Sequence, residues 1–218
     1  SGHAVTVTYH MHAPPSHIVA AHGWLAVPWD VREPTPEEFA RHDVVVYAAG
    51  VNLSGRPAVD TGEAELLESW RINALGLASL AAVVLPSMAS RRWGRLVAVN
   101  SIYGISHPAR RLSYTAAKHA LGAMVRTYAR ELAPNGVTVN EVAPGPVLSP
   151  MLQTMGREAV AHGRARTIEE YLVDVAAQVP VGRLITADEV AAAVTFLASD
   201  RASGVTGACL TVDGGILA

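Results

Sequence analysis

The chain has 218 residues, a formal net charge of −2, and a composition that is 50% hydrophobic and 17% charged. This length suits one domain that can bury most of its apolar surface, so we predict a single domain over residues 1–218. The slightly acidic balance argues against nucleic acid or an anionic membrane surface as a partner. A single cysteine excludes an internal disulfide and a cysteine-based metal site.

The sequence holds no evident apolar run of the roughly 18 residues that a membrane span needs, and no basic segment leads into an apolar one at its start. We therefore expect a cytoplasmic protein without a membrane span or a signal peptide. The stretch "YHMHAPPSH" holds His10, His12 and His17. Its Pro-Pro bend and its lack of carboxylates argue against a metal site, and none is predicted.

Short β-branched runs alternate with longer helical patterns along the chain, and several of these runs are continuously apolar, as in strands covered on both faces. The predicted strands cover 3–10, 24–28, 43–50, 94–101, 136–145 and 207–215. The predicted helices cover 63–90, 112–133 and 186–199. This order predicts an α/β fold with a doubly wound, mostly parallel sheet and helices on both faces.

Residues 149–178 interrupt this alternation. They are polar and have little strand character. A long excursion after a strand end is either a lid that contacts substrate or a peripheral helical insertion. We predict a substrate lid within the single domain.

One lysine occurs in the chain, Lys118, and it stands four residues after Tyr114 on a predicted helix. Residues at this spacing share a helix face, so the two side chains should lie side by side. A phenol has a pKa near 10, and an adjacent ammonium favours its ionised form. Arginine would differ in geometry and would not titrate. We therefore predict a lowered pKa for Tyr114 and a role in proton transfer, with an inert surface pair as the alternative.

Two further polar residues occupy suggestive positions. Ser101 closes the strand "RLVAVNS", and parallel sheets place their chemistry beyond the carboxyl ends of strands. Its hydroxyl can bond a substrate carbonyl oxygen or simply serve a turn. Asn73 lies inside a predicted helix, where asparagine is a mediocre choice, and indicates either a site or a helix kink.

Four of these residues resemble the catalytic tetrad of the short-chain dehydrogenases/reductases, namely Asn73, Ser101, Tyr114 and Lys118. In addition, "PGPVLS" (144–149) is similar to that family's nicotinamide-side loop, and "VPVGRLITADEVAAAVTFLASDRASGVTGACLTVDGG" is similar to its C-terminal segment. The resemblance covers about residues 25–218. It is nearest to the 3-oxoacyl-carrier-protein reductases and the polyketide ketoreductases.

This resemblance implies a role for each residue. Tyr114 is the general acid toward a ketone or the general base toward an alcohol, and Lys118 lowers its pKa and binds the nicotinamide ribose. Ser101 orients the substrate oxygen, and Asn73 holds a water in a proton relay. The cofactor carries the hydride. The resemblance implies cofactor contacts from Tyr114 and Lys118 and from the following positions: Asp30, Val31, Gly50, Pro144, Gly145, Val147 and Ser149.

The sequence departs from the family where the cofactor phosphates bind. The family normally opens with a strand and a glycine-rich turn of TGxxxGxG type, which holds the pyrophosphate. No GxxxGxG or GxGxxG occurs here, so we expect a fold without the first strand and helix. The stretch "YAAG" (47–50) also stands where the family usually has NNAG. No acidic residue precedes Asp30 to bind the 2′-hydroxyl of NAD, which favours NADP.

Three explanations are open for this departure: the sequence is a fragment, or a natural variant binds nucleotide differently, or hydride transfer has been abandoned. The leading hypothesis is an NADP-dependent ketoreductase that acts on an acyl, polyketide-like or other small-molecule ketone, free or bound to a carrier protein. The alternatives are a cofactor-independent dehydratase, cyclase or isomerase that uses the Tyr–Lys pair, and a non-catalytic partner subunit. The wide apolar faces of helices 63–90 and 112–133, together with the resemblance, predict a homodimer or homotetramer.

Overall fold

The strands follow the β-branched runs of the sequence. The computed structural model describes residues 5–9, 16, 25–53 and 55–218. Within these ranges the strands are β1 Thr6–Tyr9, β2 Leu25–Pro28, β3 Val44–Tyr47, β4 Gly94–Val99, β5 Val137–Pro144 and β6 Cys209–Val212. Each strand lies inside its predicted range. All eight residues of β5 are buried, as expected for a central strand covered on both faces.

The helices also fall where their patterns predicted them. They are α1 Glu63–Trp70, α2 Gly76–Arg91, α3 Leu112–Leu132, α4 Pro150–Ala161, α5 Ile168–Ala177 and α6 Ala187–Ala198. There are two differences: a π turn, Arg71–Leu75, interrupts the helix predicted over 63–90, and α4 and α5 lie in 149–178, which was predicted as a substrate lid and not among the helices. The start of α6 has a capping box, in which Thr186 and Glu189 satisfy each other's backbone N–H groups.

The described strands are parallel and form two sheets. One sheet has the order β1-β2, and the other has the order β3-β4-β5-β6. In space, β1 of the smaller sheet and β3 of the larger sheet have no described strand between them. This agrees with the predicted absence of the family's first strand and helix from these residues. A cavity of about 800 Å³ lies there instead, lined on one side by Thr6–Thr8 and on the other by Val44–Val51.

Helices cover both faces of the larger sheet, because successive residues of its central strands point to opposite faces and both sets are apolar. Leu96 and Ala98 of β4 join the core beneath α2 and α3. Val97 points the other way, into a second cluster with Leu197 of α6. The doubly wound α/β architecture predicted from the sequence is therefore confirmed. It brings the carboxyl ends of β3, β4 and β5 to one edge of the sheet.

The segment Glu63–Arg91 is long and apolar enough to cross a membrane by length and composition, with a window of mean hydropathy 1.8. The prediction that no such stretch exists therefore needs correction, because scattered polar residues only slightly dilute a strongly apolar segment. Half of this window is buried in the protein. Leu77, Val84 and Met88 from the segment pack in the core against the sheet, so the apolar character is that of a core helix.

Candidate active site

The site begins where β4 ends. Ser101 follows this strand by two residues and caps the short turn Ile102–Gly104, where its Oγ accepts a hydrogen bond of 3.1 Å from the Tyr103 N–H. The same hydroxyl faces the phenol of Tyr114 and acts to lower the pKa of that phenol. The turn role weighed for Ser101 is thus confirmed, and its role toward a substrate oxygen stays a prediction. The turn fixes the hydroxyl at the carboxyl edge of the sheet.

Tyr114 and Lys118 lie on the same buried face of α3, as their spacing predicts. Tyr114 is 7% exposed and Lys118 is 2% exposed. The Lys118 Nζ lies 5.7 Å from the centre of the Tyr114 ring and donates a 2.9 Å hydrogen bond to the carbonyl oxygen of Val99. The alternative of a pair on the surface is therefore wrong, because both polar heads are withdrawn from solvent.

The pKa of Tyr114 departs from its ordinary value in the direction opposite to our expectation. Burial raises it to about 12, and the Ser101 hydroxyl offsets this only in part. The ammonium of Lys118 is directed at the Val99 carbonyl, so in this state it does not compensate the loss of hydration around the phenol. Tyr114 is therefore a neutral, protonated phenol at neutral pH.

Burial also shifts Lys118, in the opposite sense. It lowers the pKa of the ammonium from 10.5 to about 8, while the negative charge of Glu141 on β5 acts to raise it. Below pH about 8 the side chain carries its positive charge, and above that pH it loses it. The ammonium is therefore charged at neutral pH but titrates close to the physiological range.

Asn73 is placed beside this pair by the π turn, a feature found frequently at functional sites. It is fully buried. Its Oδ1 accepts a 3.1 Å hydrogen bond from the Val51 N–H, and its Nδ2 donates to the carbonyl oxygens of Val51 at 2.9 Å and Ser69 at 3.0 Å. The side chain thus joins the helix to the loop after β3. The predicted water relay through Asn73 stays a prediction.

We expect Asn73→Ala to lower the free energy of unfolding by about 1–3 kcal/mol, because it leaves the buried amide and carbonyl of Val51 without partners. Ser90→Ala, which removes an exposed helix hydroxyl, is the control and should change it by less than about 0.5 kcal/mol. Urea denaturation measures both variants. Equal stabilities would contradict the anchoring role of Asn73.

The cavity between the sheets leads to this cluster. Asp30, Val31 and Gly50, all predicted to contact a cofactor, line it. A Cβ added to Gly50 would lie 3.2 Å from the Asn73 Oδ1 and 3.6 Å from the Lys118 Nζ. Gly50 therefore keeps open the end of the cavity that adjoins Lys118. Asp30, Val31 and Gly50 thus share this cavity, and Gly50 is the lining residue that adjoins Lys118.

The remaining predicted cofactor residues follow β5. Pro144 ends the strand, and Gly145 packs so closely on the backbone of Asp213 that a Cβ there would lie 2.9 Å from the Asp213 Cα. Val147 forms an isolated bridge with Ile185. The loop that they form is thus fixed on both sides at the carboxyl end of β5, beside β6.

Ser149 caps α4, and its Oγ accepts a 3.3 Å hydrogen bond from the Leu152 N–H. We expect Ser149→Ala to lower the free energy of unfolding by about 1 kcal/mol. If Ser149 also contacts the cofactor, the same variant will raise the Kd of NADPH about 3–10-fold. Thr167→Ala removes the same kind of cap from α5 and is the matched control, with a loss of stability but an unchanged Kd. Fluorescence titration measures the Kd of NADPH. Equal values for Ser149→Ala and Thr167→Ala would show that Ser149 acts only as a helix cap.

The segment predicted as a lid, 149–178, forms α4 and α5. The Asn52 Nδ2, in the loop after β3, donates to the Met155 Sδ at 3.4 Å. Burial raises the pKa of Tyr171 on α5. The charge of Arg111 acts to lower this pKa and Tyr103 acts to raise it, so both lie near Tyr171. Both helices therefore reach toward the loops that carry the site, and their role as a lid stays a prediction.

Sequence reasoning missed three residues of this region. Tyr103 packs its ring edge-on against Tyr114, with centroids 6.3 Å apart. Arg32 clamps Asp30, with its Nη2 2.5 Å from the carboxylate, and also reaches Glu68. Glu141 is a buried acid under Lys118. The available signal was an acid in the middle of the apolar strand "VTVNEVAPG", while Tyr103 and Arg32 carried none.

No group of three or more possible metal-ligating side chains occurs within the residues that the structure describes. His10, His12 and His17 lie outside these residues, so the prediction that they hold no metal stays a prediction.

The parallel sheet, covered by helices on both faces and carrying a buried polar cluster at its carboxyl edge, makes the protein a Rossmann-like α/β enzyme. A family model described as enoyl-(acyl carrier protein) reductase matches residues 30–217. The 3-oxoacyl-[acyl-carrier-protein] reductase FabG of Salmonella typhimurium is 35% identical over 182 residues, which are 82% of this chain and 68% of that protein. The chain belongs to the short-chain dehydrogenase/reductase family and is an oxidoreductase.

Two further similarities agree with this assignment. A protein of Streptomyces virginiae that is named as a ketoacyl reductase of the monensin polyketide synthase is 34% identical over 182 residues, covering 83% of this chain and 69% of its own. The crystal structure of sorbitol-6-phosphate 2-dehydrogenase SrlD from Erwinia amylovora superposes with a TM-score of 0.89 at 25% identity, covering 99% of this chain and 90% of that one. The predicted likeness to carrier-protein and polyketide ketoreductases is confirmed.

Proposed function

We propose that the protein is an NADP-dependent ketoreductase that reduces a ketone of an acyl or polyketide-like substrate, with Tyr114, Lys118, Ser101 and Asn73 as its working residues. One observation supports this more than any other. The phenol of Tyr114 is buried beside the Ser101 hydroxyl and has the Lys118 ammonium 5.7 Å from its ring centre, at the carboxyl edge of a parallel sheet.

The protonation states suit reduction of a carbonyl group. Because the pKa of Tyr114 is about 12, the phenol holds its proton at neutral pH and can give it to a carbonyl oxygen as negative charge develops there. The Ser101 hydroxyl is a second donor to the same oxygen. The positive charge of Lys118 then stabilises the tyrosinate that remains. Asn73 holds the loop at Val51 in place beside them.

The residues at the carboxyl edge of the sheet suit the approach of a nicotinamide dinucleotide, because Gly50 has no side chain to fill the space next to Asn73 and Lys118. Asp30, Val31 and Gly50 would hold the adenosine side. Pro144, Gly145, Val147, Ser149, Tyr114 and Lys118 would hold the nicotinamide side. The cofactor would supply the hydride.

The substrate class rests on the relatives, two of which are named as reductases of a 3-oxoacyl carrier-protein substrate and of a ketoacyl group. A thioester-bound acyl chain would enter beneath α4 and α5, which reach the loops around Tyr114. We place the protein in the cytoplasm, where thioester-bound acyl substrates of this kind are available to it. Leu67, Trp70, Leu75 and Leu112, which are large apolar side chains on or beside α1 and α3, are exposed and support a homodimer or homotetramer.

The test is a pair of measurements on the full-length protein. Titration with NADPH and with NADH, followed by nucleotide fluorescence, should give saturable binding that is tighter for NADPH. Acetoacetyl thioester should then oxidise NADPH, measured at 340 nm, while crotonyl thioester should not. Oxidation with the crotonyl thioester alone would overturn the proposal in favour of an enoyl reductase. Conversion of substrate without any nucleotide would overturn it in favour of a cofactor-independent enzyme.

A further inference from the structure

The middle of β5 carries a buried carboxylate that the proposed reaction does not use. Glu141 is 1% exposed and is on the face of the strand that points at α3, the same face as Val137 and Val139. Burial of a charge costs several kcal/mol unless it is paired and hydrogen-bonded. An apolar residue would continue the pattern of this face without that cost, so the acid at this position calls for an explanation.

Glu141 has partners on three neighbouring elements. Asn100, just after β4, donates from its Nδ2 to the Glu141 Oε2 at 2.5 Å, and Arg126 of α3 donates from its Nη1 to the Oε1 at 3.3 Å. Cys209 of β6 forms a side-chain hydrogen bond with the same carboxylate, which together with burial raises the pKa of the thiol to about 12. A Cβ on Gly122 would lie 3.2 Å from both carboxylate oxygens, so this glycine leaves room for them.

The contacts on α3 follow one helix face. Lys118, Gly122 and Arg126 are spaced by four residues, so they line up along that face, with Glu141 opposite the glycine in the middle. The carboxylate therefore has one cation on each side. Arg126 is 57% exposed, whereas Lys118 is buried and depends far more on a nearby counter-charge.

The contact on β4 leads to Ser101. Asn100 directly precedes this serine, and its backbone N–H makes a 2.7 Å bond to the Val142 carbonyl oxygen of β5. Its side-chain amide lies against Gly104, where a Cβ would come within 2.6 Å of the Asn100 Nδ2 and Oδ1. The hydrogen bond from Asn100 to Glu141 thus fixes the amide on which the turn Ile102–Gly104 rests.

We propose that Glu141 is a positioning residue for the active site: from beneath it, the carboxylate supplies the counter-charge of Lys118 and, through Asn100, fixes the turn that carries Ser101. The proposal rests on the proposed function only insofar as Lys118 and Ser101 take part in the reaction. The charged and polar groups that face Lys118 are Glu141 from β5, the Val99 carbonyl from β4 and Tyr114 on α3, with Gly50 closing the remaining side.

The single lysine permits a direct test that needs no activity. Protein labelled with [¹³Cε]-lysine should give one lysine resonance, because Lys118 is the only lysine in the sequence. Its titration midpoint should lie near pH 8 in the wild type. In Glu141→Gln, which keeps the size and the acceptor for Asn100 but removes the charge, the midpoint should fall by about 0.5–1 pH unit.

Arg126→Gln is the matched control. It removes the competing cation from the same carboxylate, so the midpoint of Lys118 should stay where it is or rise. A titration midpoint of Lys118 that is unchanged in Glu141→Gln, or that falls in Arg126→Gln, would overturn the proposal. If Glu141→Gln does not fold, the midpoint in Arg126→Gln alone decides. Thermal unfolding monitored by circular dichroism verifies the fold of each variant.

The kinetic arm separates this proposal from the proposed function. If the wild type reduces acetoacetyl thioester, the alkaline limb of kcat/KM in Glu141→Gln should move down by the same amount as the midpoint of the lysine resonance, and the limb in Arg126→Gln should not. A limb that stays fixed while the resonance moves would refute the role in positioning. A wild type without reductase activity would refute the proposed function, while the resonance would still decide whether Glu141 is the counter-charge.

Discussion

Tyr114→Phe should lower kcat for ketone reduction by about 10²–10⁴-fold, because it removes a proton donor that is buried beside Ser101 and protonated at neutral pH. The phenylalanine ring keeps the edge-on contact with Tyr103. We therefore expect only a small change in the free energy of unfolding. Steady-state oxidation of NADPH with acetoacetyl thioester measures the effect.

Tyr128→Phe is a suitable control for this substitution. Tyr128 lies on the same helix α3 and is only partly buried, at the periphery of the core. Its hydroxyl has no part in the proposed reaction, so the variant should retain wild-type kcat. If Tyr114→Phe kept more than a tenth of the wild-type kcat, proton donation by Tyr114 would be wrong, whatever the effect on stability.

Lys118→Met should lower kcat/KM at pH 7 by at least about 100-fold, since it removes the ammonium that lies 5.7 Å from the centre of the Tyr114 ring. The pH dependence sharpens this prediction. The pKa of Lys118 is lowered to about 8, so the ammonium is present below that pH and lost above it. Wild-type reduction should therefore decline as the pH rises through about 8.

The residual activity of Lys118→Met should lack this decline, because the pKa of Tyr114 lies near 12. Lys118→Arg keeps the charge but places a larger fork in a space closed by Gly50 and the Val99 carbonyl, and it should not restore activity. Wild-type activity in either variant would show that the charge and shape of Lys118 are not needed for the reaction, and would contradict its catalytic role.

Much of the fold could be predicted from the sequence, since the strands of a doubly wound sheet are short, apolar and β-branched. The run "GVTVNEVAPG" predicted β5, which is buried along its whole length. The helix α3 and the common face of Tyr114 and Lys118 followed from a spacing of four. These features depend on local patterns, which a single sequence carries.

Features that depend on neighbours were not predicted. The π turn around Asn73 arises because its amide bonds to Val51, twenty-two residues earlier, and no local pattern indicates that contact. The pKa of Tyr114 was predicted in the wrong direction, because burial outweighs a charge that is directed elsewhere. The partners of Glu141 come from three elements that only the folded sheet brings together.

The most direct measurement uses NADPH with deuterium at both C4 positions of the nicotinamide and detects, by mass spectrometry, the transfer of deuterium to the alcohol formed from acetoacetyl thioester. We predict that wild-type protein gives a product with one deuterium at the new carbinol carbon, and that Tyr114→Phe gives product only at the background level. A product that forms without deuterium would contradict reduction by the cofactor. Equal amounts of labelled product from wild type and Tyr114→Phe would contradict reduction at this site.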